Sequence, residues 1–409
     1  MPSAQIVTDP ERGWPRSLAG AVVGSAAGVS ALLLYTNGLF VAGLAHDYGL
    51  TRVQFGFGVL LVTMALAAAN PLVGWLADRV GAKWLSVGGL LLLSLGFASL
   101  GAFIESVNSY FLLQAAVAFA GAASGPIAYS KIINETFNRH RGIALGLTMT
   151  GIGIAAAIIP PQLAGVIAER GWRSGYYLLA LVPLCGAVLT AVLLPARHAV
   201  GVRKVQLTAS DVKAEAQWIR SPVFWMLAGT FAMMSLSFAG LLPHFVPLLG
   251  DAGLDPRAAG RVAGEIGLAV IASRMVVGYL LDRIFAPRIA ILICLIAAGG
   301  SLMFLFNGVS SASITAIALG LALGAELDLM GFLIARYFGL AQFGRIYGWL
   351  YFAFVFASGL GPLWVGAVRD ATGNYSIALA VSAGGLLVTC IGFLLMPRYP
   401  QQAGMTEQR

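Results

Sequence analysis

Gly74-Trp75-Leu76-Ala77-Asp78-Arg79-Val80-Gly81 closes one apolar run of the chain, and a near copy, Gly278-Tyr279-Leu280-Leu281-Asp282-Arg283-Ile284-Phe285, stands 204 residues further along a sequence of 409. The same offset joins Arg141 to Arg345, while Gly121-Ala122 and Phe137 match Gly324-Ala325 and Phe338 at offsets of 203 and 201. Three correspondences at offsets of 201 to 204 predict a duplicated unit of half the chain. In each copy an Asp-Arg pair marks a short polar turn between two long apolar segments.

Outward from these turns, the sequence divides into apolar runs of the ~20 residues that a bilayer-spanning helix needs. Twelve runs clear that length, at about 18–45, 53–77, 84–104, 108–133, 142–168, 174–194, 223–250, 258–281, 289–308, 310–338, 345–368 and 375–396. The one long polar break, 195–222, separates six from six. The expected fold is therefore an all-α integral membrane protein of twelve transmembrane helices: a six-helix bundle over 1–194, a cytoplasmic linker over 195–222 and a second bundle over 223–409. Six is an even number, so the halves are parallel repeats about an axis along the membrane normal.

Composition supports a membrane protein. Hydrophobic residues make up 59% of the chain and charged residues 10%, against ~25% charged in soluble domains. The 51 glycines lie inside the apolar runs, where small residues let helices approach closely. Cys185, Cys294 and Cys390 also fall within such runs, which implies neither a disulfide framework nor a metal cluster. The net charge of +8 is scattered over short connectors without a basic stripe, so nucleic acid is not expected as a partner. With the N terminus inside, 17 of the 25 Lys and Arg residues fall on cytoplasmic segments and six on outer ones, so both termini are placed in the cytoplasm. The first run is longer than the ~7–15 residues of a signal-peptide core and reads as a retained span. No phosphate-binding loop, zinc helix or dinucleotide fingerprint is present, so neither an enzyme nor a cofactor is expected.

The Gly-x-Leu-Ala-Asp-Arg-x-Gly stretch at 74–81, with Lys83 after it and a second copy at 278–285, resembles the loop motif of the major facilitator superfamily. The resemblance covers essentially the whole chain. Gly146, Gly151 and Gly153 followed by Pro160-Pro161 resemble that superfamily's glycine-proline pattern in span five. A narrower resemblance, to the monocarboxylate porter and oxalate:formate antiporter group, rests on Gly125-Pro126-Ile127-Ala128-Tyr129-Ser130-Lys131, on Arg141-Gly142 through Gly146, on Arg274, and on Gly324-Ala325-Glu326-Leu327-Asp328 with Arg336-Tyr337-Phe338-Gly339. It implies the major facilitator fold and transport of small carboxylates, with the span-eight arginine binding substrate. Two departures stand beside it. Span four lacks the arginine of proton-driven drug exporters, Gln114 lying in that region, and span eleven, from Tyr347 to Val368, has no second cation for a doubly charged substrate.

Charged side chains cost ~2.5–3.5 kcal/mol at a bilayer centre, so each one there asks for a partner or a cavity. Arg274 lies deep in span eight. Its planar fork matches a carboxylate with two hydrogen bonds, and the alternative is an ion pair with Glu326 or Asp328 of span ten. Those two stand about 200° apart around a helix and face different ways. Carboxylates withdrawn from water bind protons more readily, which suits them to proton coupling, with ion pairing as the other reading. Lys131 reads as a snorkelling lysine. His244, between Pro243 and Pro247, is a candidate ligand or proton acceptor, or else a satisfied structural histidine. Tyr35, Asn37, Tyr129 and Tyr351 are expected to complete the substrate site or to pack, and Asp78, Arg79, Asp282 and Arg283 to act as gating contacts.

The resulting expectation is a secondary active transporter of a small organic anion, a monocarboxylate, by proton-coupled symport and alternating access. Anion exchange, export of a hydrophobic compound and a transporter-like sensor are the alternatives. Such a protein would sit in the inner membrane of a bacterium, work as a monomer, and have the anion, protons and the lipid bilayer as its partners.

Overall fold

The computed structural model describes residues 14–137, 140–194 and 217–400. The tails, Asn138 and Arg139, and residues 195–216, most of the expected linker, lie outside the described residues. Eleven stretches are long and apolar enough to cross a membrane, and one of them, the 53-residue Ala286–Phe338, holds two helices. The described chain thus makes twelve crossings, as expected. In order they are α1 (Trp14–Ala26, resuming over Val29–Thr36 and Val41–Tyr48), α2 (Arg52–Val80), α3 (Ala82–Phe103), α4 (Val107–Gly121, resuming over Pro126–Thr136), α5 (Arg141–Arg170), α6 (Trp172–Leu193), α7 (Pro222–Phe238, resuming over Leu241–Asp251), α8 (Pro256–Leu281), α9 (Ala286–Asn307), α10 (Ala312–Phe338), α11 (Phe343–Thr372) and α12 (Ser376–Leu394). The described chain enters at Trp14 and leaves at Pro400 on one face of the bundle, the termini face. Connections on the opposite, far face are short.

Local chemistry sets the ends. Thr51 and Gln54 form a capping box at the start of α2, and Ser106 with Ser109 does the same for α4. Gly81 and Gly171 are the single residues between α2 and α3 and between α5 and α6, with φ of +92° and +82°. A side chain is strained at such angles, and glycine is not.

The duplication is visible in the packing. α3 lies on α6 and α4, α1 on α5 and α6, and α2 on α4; six helices on, α9 lies on α12 and α10, α7 on α11 and α12, and α8 on α10. Between the halves the main seams are α2 with α11 and α5 with α8, exchanged by the same six-helix shift. Both seams run backbone on backbone. A Cβ at Gly74 would meet the Gly344 carbonyl and one at Gly348 that of Asn70, while Gly142 is pressed on Gly278 and Gly146 on the Arg274 carbonyl. These contacts correct one detail of the repeat. Arg141 opens α5 as its first residue, whereas Arg345 is the third residue of α11. The two helices correspond at an offset of 202, which also pairs Gly142 with Gly344 and Gly146 with Gly348.

Two broken helices meet inside the amino-terminal half. α1 is interrupted at Ala27-Gly28 and α4 over Ala122–Ser124, and Gly28 lies against the Ser124 carbonyl, where a side chain has no room. Val29 N donates to Ser124 Oγ at 3.1 Å, which satisfies an amide that the break releases. Irregular backbone at this depth is tolerated where protein or a cavity receives it, and a cavity lies beside this one.

Candidate functional site

A cavity of about 230 Å³ lies between the halves. Its walls follow helical periodicity: Thr63, Leu66 and Asn70 on α2, Val270 and Arg274 on α8, Leu323, Glu326 and Leu327 on α10, and Tyr351, Phe354, Val355 and Ser358 on α11, each set spaced by three, four or seven residues. Val29, Ser30 and Tyr35 of α1, Ala122, Gly125 and Pro126 of α4 and Ile152 of α5 complete it, so both helix breaks border the cavity. Tyr35 keeps 50% of its surface accessible. Toward the termini face the glycine seams bring the helices of the two halves into backbone contact.

Arg274 is the cation of this wall and is 5% exposed. Its Nε and Nη1 have no hydrogen-bond partner. Nη1 stands 3.6 Å from Asp328 Oδ1, an ionic contact without a hydrogen bond. Glu326 borders the cavity with Oε2 unpartnered, whereas Asp328 is fully buried behind it with both oxygens unpartnered. The two-residue spacing separates the carboxylates as helix geometry requires. Arg274 is thus in ionic contact with one acid, Asp328, while a second, Glu326, borders the same cavity, and a buried charge set of this kind is costly unless a proton or a further ligand adjusts it.

Tyr351 and Tyr35 border the same cavity, and the ring of Tyr351 stacks on Phe354 at 5.8 Å between centroids. The other expected ligands stand elsewhere. Asn37 Oδ1 accepts from Gln114 Nε2 at 2.9 Å and from Tyr110 Oη at 3.2 Å, inside the amino-terminal half. Tyr129 is buried against Gly24. His244 lies toward the far face, its Nε2 3.1 Å from the Pro362 carbonyl and its Nδ1 3.3 Å from the Tyr375 hydroxyl, so it joins α7 to α11 and to the start of α12. None of these three borders the cavity.

The motif aspartates form a matched pair across the seams. Asp78 accepts from the amides of Gly344 and Arg345 at 2.9 and 2.8 Å, and Asp282 from those of Gly142 and Ile143 at 2.8 and 3.2 Å. These are the second and third residues of α11 and α5, neither of which is capped by the side chain of its own N-cap residue, Gln342 or His140. Each half supplies the carboxylate that the other half's helix start lacks, with favourable alignment to the helix dipole. Arg79 and Arg283 instead lie over the rings of Trp75 and Tyr279, each four residues earlier in the chain, at 4.2 and 4.1 Å. Lys131 does not snorkel: it is 5% exposed, ion-pairs with Asp78 and donates to the Ala77 carbonyl at 3.1 Å. The partly buried Asp78 of α2 takes up the ammonium instead.

Sequence reasoning passed over Ser30, Thr63, Asn70 and Ser358. The available signal was positional, since each small polar residue falls on the helical stripe of the cavity wall rather than on a lipid-facing one.

A model of the Major Facilitator Superfamily matches residues 23–325. Among curated proteins, the chain is 26% identical to monocarboxylate transporter 11 of Homo sapiens over 95% of its own length and 84% of that protein's. It is also 26% identical to a gallate transporter of Pseudomonas putida, over 85% and 87%. Among solved structures, an Escherichia coli fucose:proton symporter superimposes with a TM-score of 0.70 at 15% identity, covering 92% of this chain and 98% of that one. That likeness is one of fold.

Proposed function

We propose, for a chain that belongs to the Major Facilitator Superfamily and is an integral membrane transporter rather than an enzyme, that the cargo is a small organic anion, a monocarboxylate, moved with a proton by alternating access. The observation that carries this reading is Arg274, a buried arginine on a cavity wall with two nitrogens free of hydrogen bonds. A guanidinium is the group best matched to a carboxylate. The cavity's size points the same way, since about 230 Å³ falls below the ~300–1,000 Å³ of pockets for drug-sized molecules. The similarity to a monocarboxylate transporter and to a gallate transporter agrees with a carboxylate cargo.

In this scheme Arg274 passes from Asp328 to the incoming carboxylate, and the acid left without its cation takes the proton. Glu326 is the second candidate carrier, and Tyr35 and Tyr351 contact the substrate. The halves, 1–194 and 223–409, rock about the cavity, with Asp78 and Asp282 holding the termini face shut. That face is assigned to the cytoplasm, the membrane to the inner membrane of a bacterium, and the working unit to a monomer. The test is uptake of labelled monocarboxylates into proteoliposomes with and without an inward proton gradient. Accumulation driven by the gradient is expected. Uptake indifferent to the gradient and dependent on an internal counter-anion would replace symport by exchange.

A further inference from the structure

A second cavity, of about 640 Å³, is formed by α3, α5 and α6 of the amino-terminal half alone and shares no lining residue with the cavity between the halves. Its buried members are small, Ser94 of α3 and Ala180 of α6, and Ser94 Oγ joins the two helices by donating to the Ala180 carbonyl at 2.7 Å. Its exposed members, Tyr177, Leu181 and Leu184, are large and stand on the outer surface of the bundle. Small side chains between larger ones leave a groove there, and the groove faces lipid. Arg170 ends α5 and Ser174 lies in the first turn of α6, both at the far face, whereas Ser94 and Leu184 lie about halfway along their helices. From Trp172 to Leu184, α6 rises about 18 Å at ~1.5 Å per residue, slightly more than half of a ~30 Å hydrocarbon core. The groove therefore runs from headgroup depth to the midplane of one leaflet. Among the described residues, Arg170 is the one charged side chain that lines it. Neighbouring Arg173 is engaged by Asp47 and by the Tyr48 hydroxyl, but the Arg170 guanidinium has neither an ion pair nor a hydrogen bond among the described residues.

We propose that this groove is a binding site for an anionic phospholipid of the far-face leaflet, its phosphate on Arg170 and one acyl chain lying past Ala98, Leu181 and Leu184 to the midplane. A cation in the last turn of a helix is ordinary by itself, since it complements the helix dipole. Here it stands at the headgroup end of a hydrocarbon groove one leaflet deep, and a phospholipid is the molecule with that length and that order of parts. The guanidinium fork matches phosphate oxygens with two hydrogen bonds. A zwitterionic lipid fills the same hydrocarbon but brings its own cation toward Arg170, so the arginine selects for net negative charge. The bound lipid joins the end of α5 to α3 and α6 at the far face, and α5 is the helix that meets α8 across the seam.

To test this, the purified full-length carrier in neutral detergent is titrated with phosphatidylglycerol and with phosphatidylcholine of the same acyl chains. Bound lipid is counted by native mass spectrometry and located with a phosphatidylglycerol that carries a photoactivatable group in its acyl chain. Wild type is expected to hold one phosphatidylglycerol about fivefold more tightly than phosphatidylcholine, the worth of one arginine at a headgroup, and to be labelled on α3 and α6 within the groove. Arg170→Gln should bring that ratio close to one. Arg261→Gln, which removes an exposed far-face arginine outside the groove, should leave it unchanged. Ala98→Phe, which fills the groove, should weaken both lipids and remove the label. All three substitutions lie on the outside of the bundle, and size exclusion checks that each variant folds. A preference that survives Arg170→Gln, an equal loss in Arg261→Gln, or a label that persists in Ala98→Phe would overturn the proposal. So would displacement of the lipid by inorganic phosphate alone, which would make Arg170 a site for a free anion.

Discussion

Arg274 Nη1 stands 3.6 Å from Asp328 Oδ1, within ionic reach and beyond hydrogen-bond length. The pair is attractive without being geometrically closed. A ligand carboxylate that supplies well-aligned acceptors competes with Asp328 on favourable terms, and Asp328 is then a buried acid without a cation. In the proposed scheme, proton uptake at that moment would remove the charge and let the loaded carrier reorient.

Arg274→Lys should fold as wild type does, judged by size exclusion, and lose transport roughly ten- to a hundredfold, since a point charge keeps the ionic pair and forfeits the fork. Arg274→Ala is the less informative variant, because stripping one member of a buried pair costs about 3–5 kcal/mol of stability by itself. Normal transport by the lysine variant would return Arg274 to a purely structural role.

Asp328→Asn or Glu326→Gln, whichever removes the proton carrier, should abolish accumulation driven by a pH gradient and spare substrate counterflow. If both single variants and the double variant still accumulate substrate, the proton travels elsewhere, and His244→Gln becomes the variant to measure despite its place outside the cavity.

Cysteine pairs introduced across the halves, one set near Ala77 and Phe343 and another near the far ends of α1 and α7, should crosslink in mutually exclusive states, with substrate shifting the balance. Full crosslinking of both sets in one molecule that still transports would contradict rocking.

Asp78→Asn should weaken closure of the termini face by about 0.5–2 kcal/mol, the usual worth of a cap, and somewhat more through the loss of charge beside Lys131. Asp282→Asn should act in the same direction. Crosslinking at the termini face reads the shift, and an unchanged ratio in both variants would remove the aspartates from the gate.

The twelve crossings and the duplication were legible because each rests on the sequence alone: run length, and two copies of one motif. Arg274, Glu326 and Asp328 were legible because charge inside an apolar run is anomalous wherever the helix packs. Asn37, Tyr129 and His244 were equally anomalous and yet stand off the cavity. A polar group in a span needs a partner, and for Asn37 the partners are Tyr110 and Gln114, 73 and 77 residues away, which only packing brings near. Lys131 illustrates the same limit, its acid being Asp78 of another helix. The matching of Arg141 to Arg345 misled by two residues because identical residue types on equivalent helices need not occupy equivalent turns.

The exchanged caps bear on how the molecule is made. When the ribosome has released only the first six helices, α5 begins with bare amides and Asp78 has no helix to reach; both deficits are met when the second six arrive. Neither half is a finished object in the bilayer. In the proposed scheme the contact that would shut one face of the carrier is also one by which a newly inserted amino-terminal half would meet its sister, and damage at Asp78 or Asp282 should surface first as poor assembly of separately expressed halves, before any loss of transport is measured.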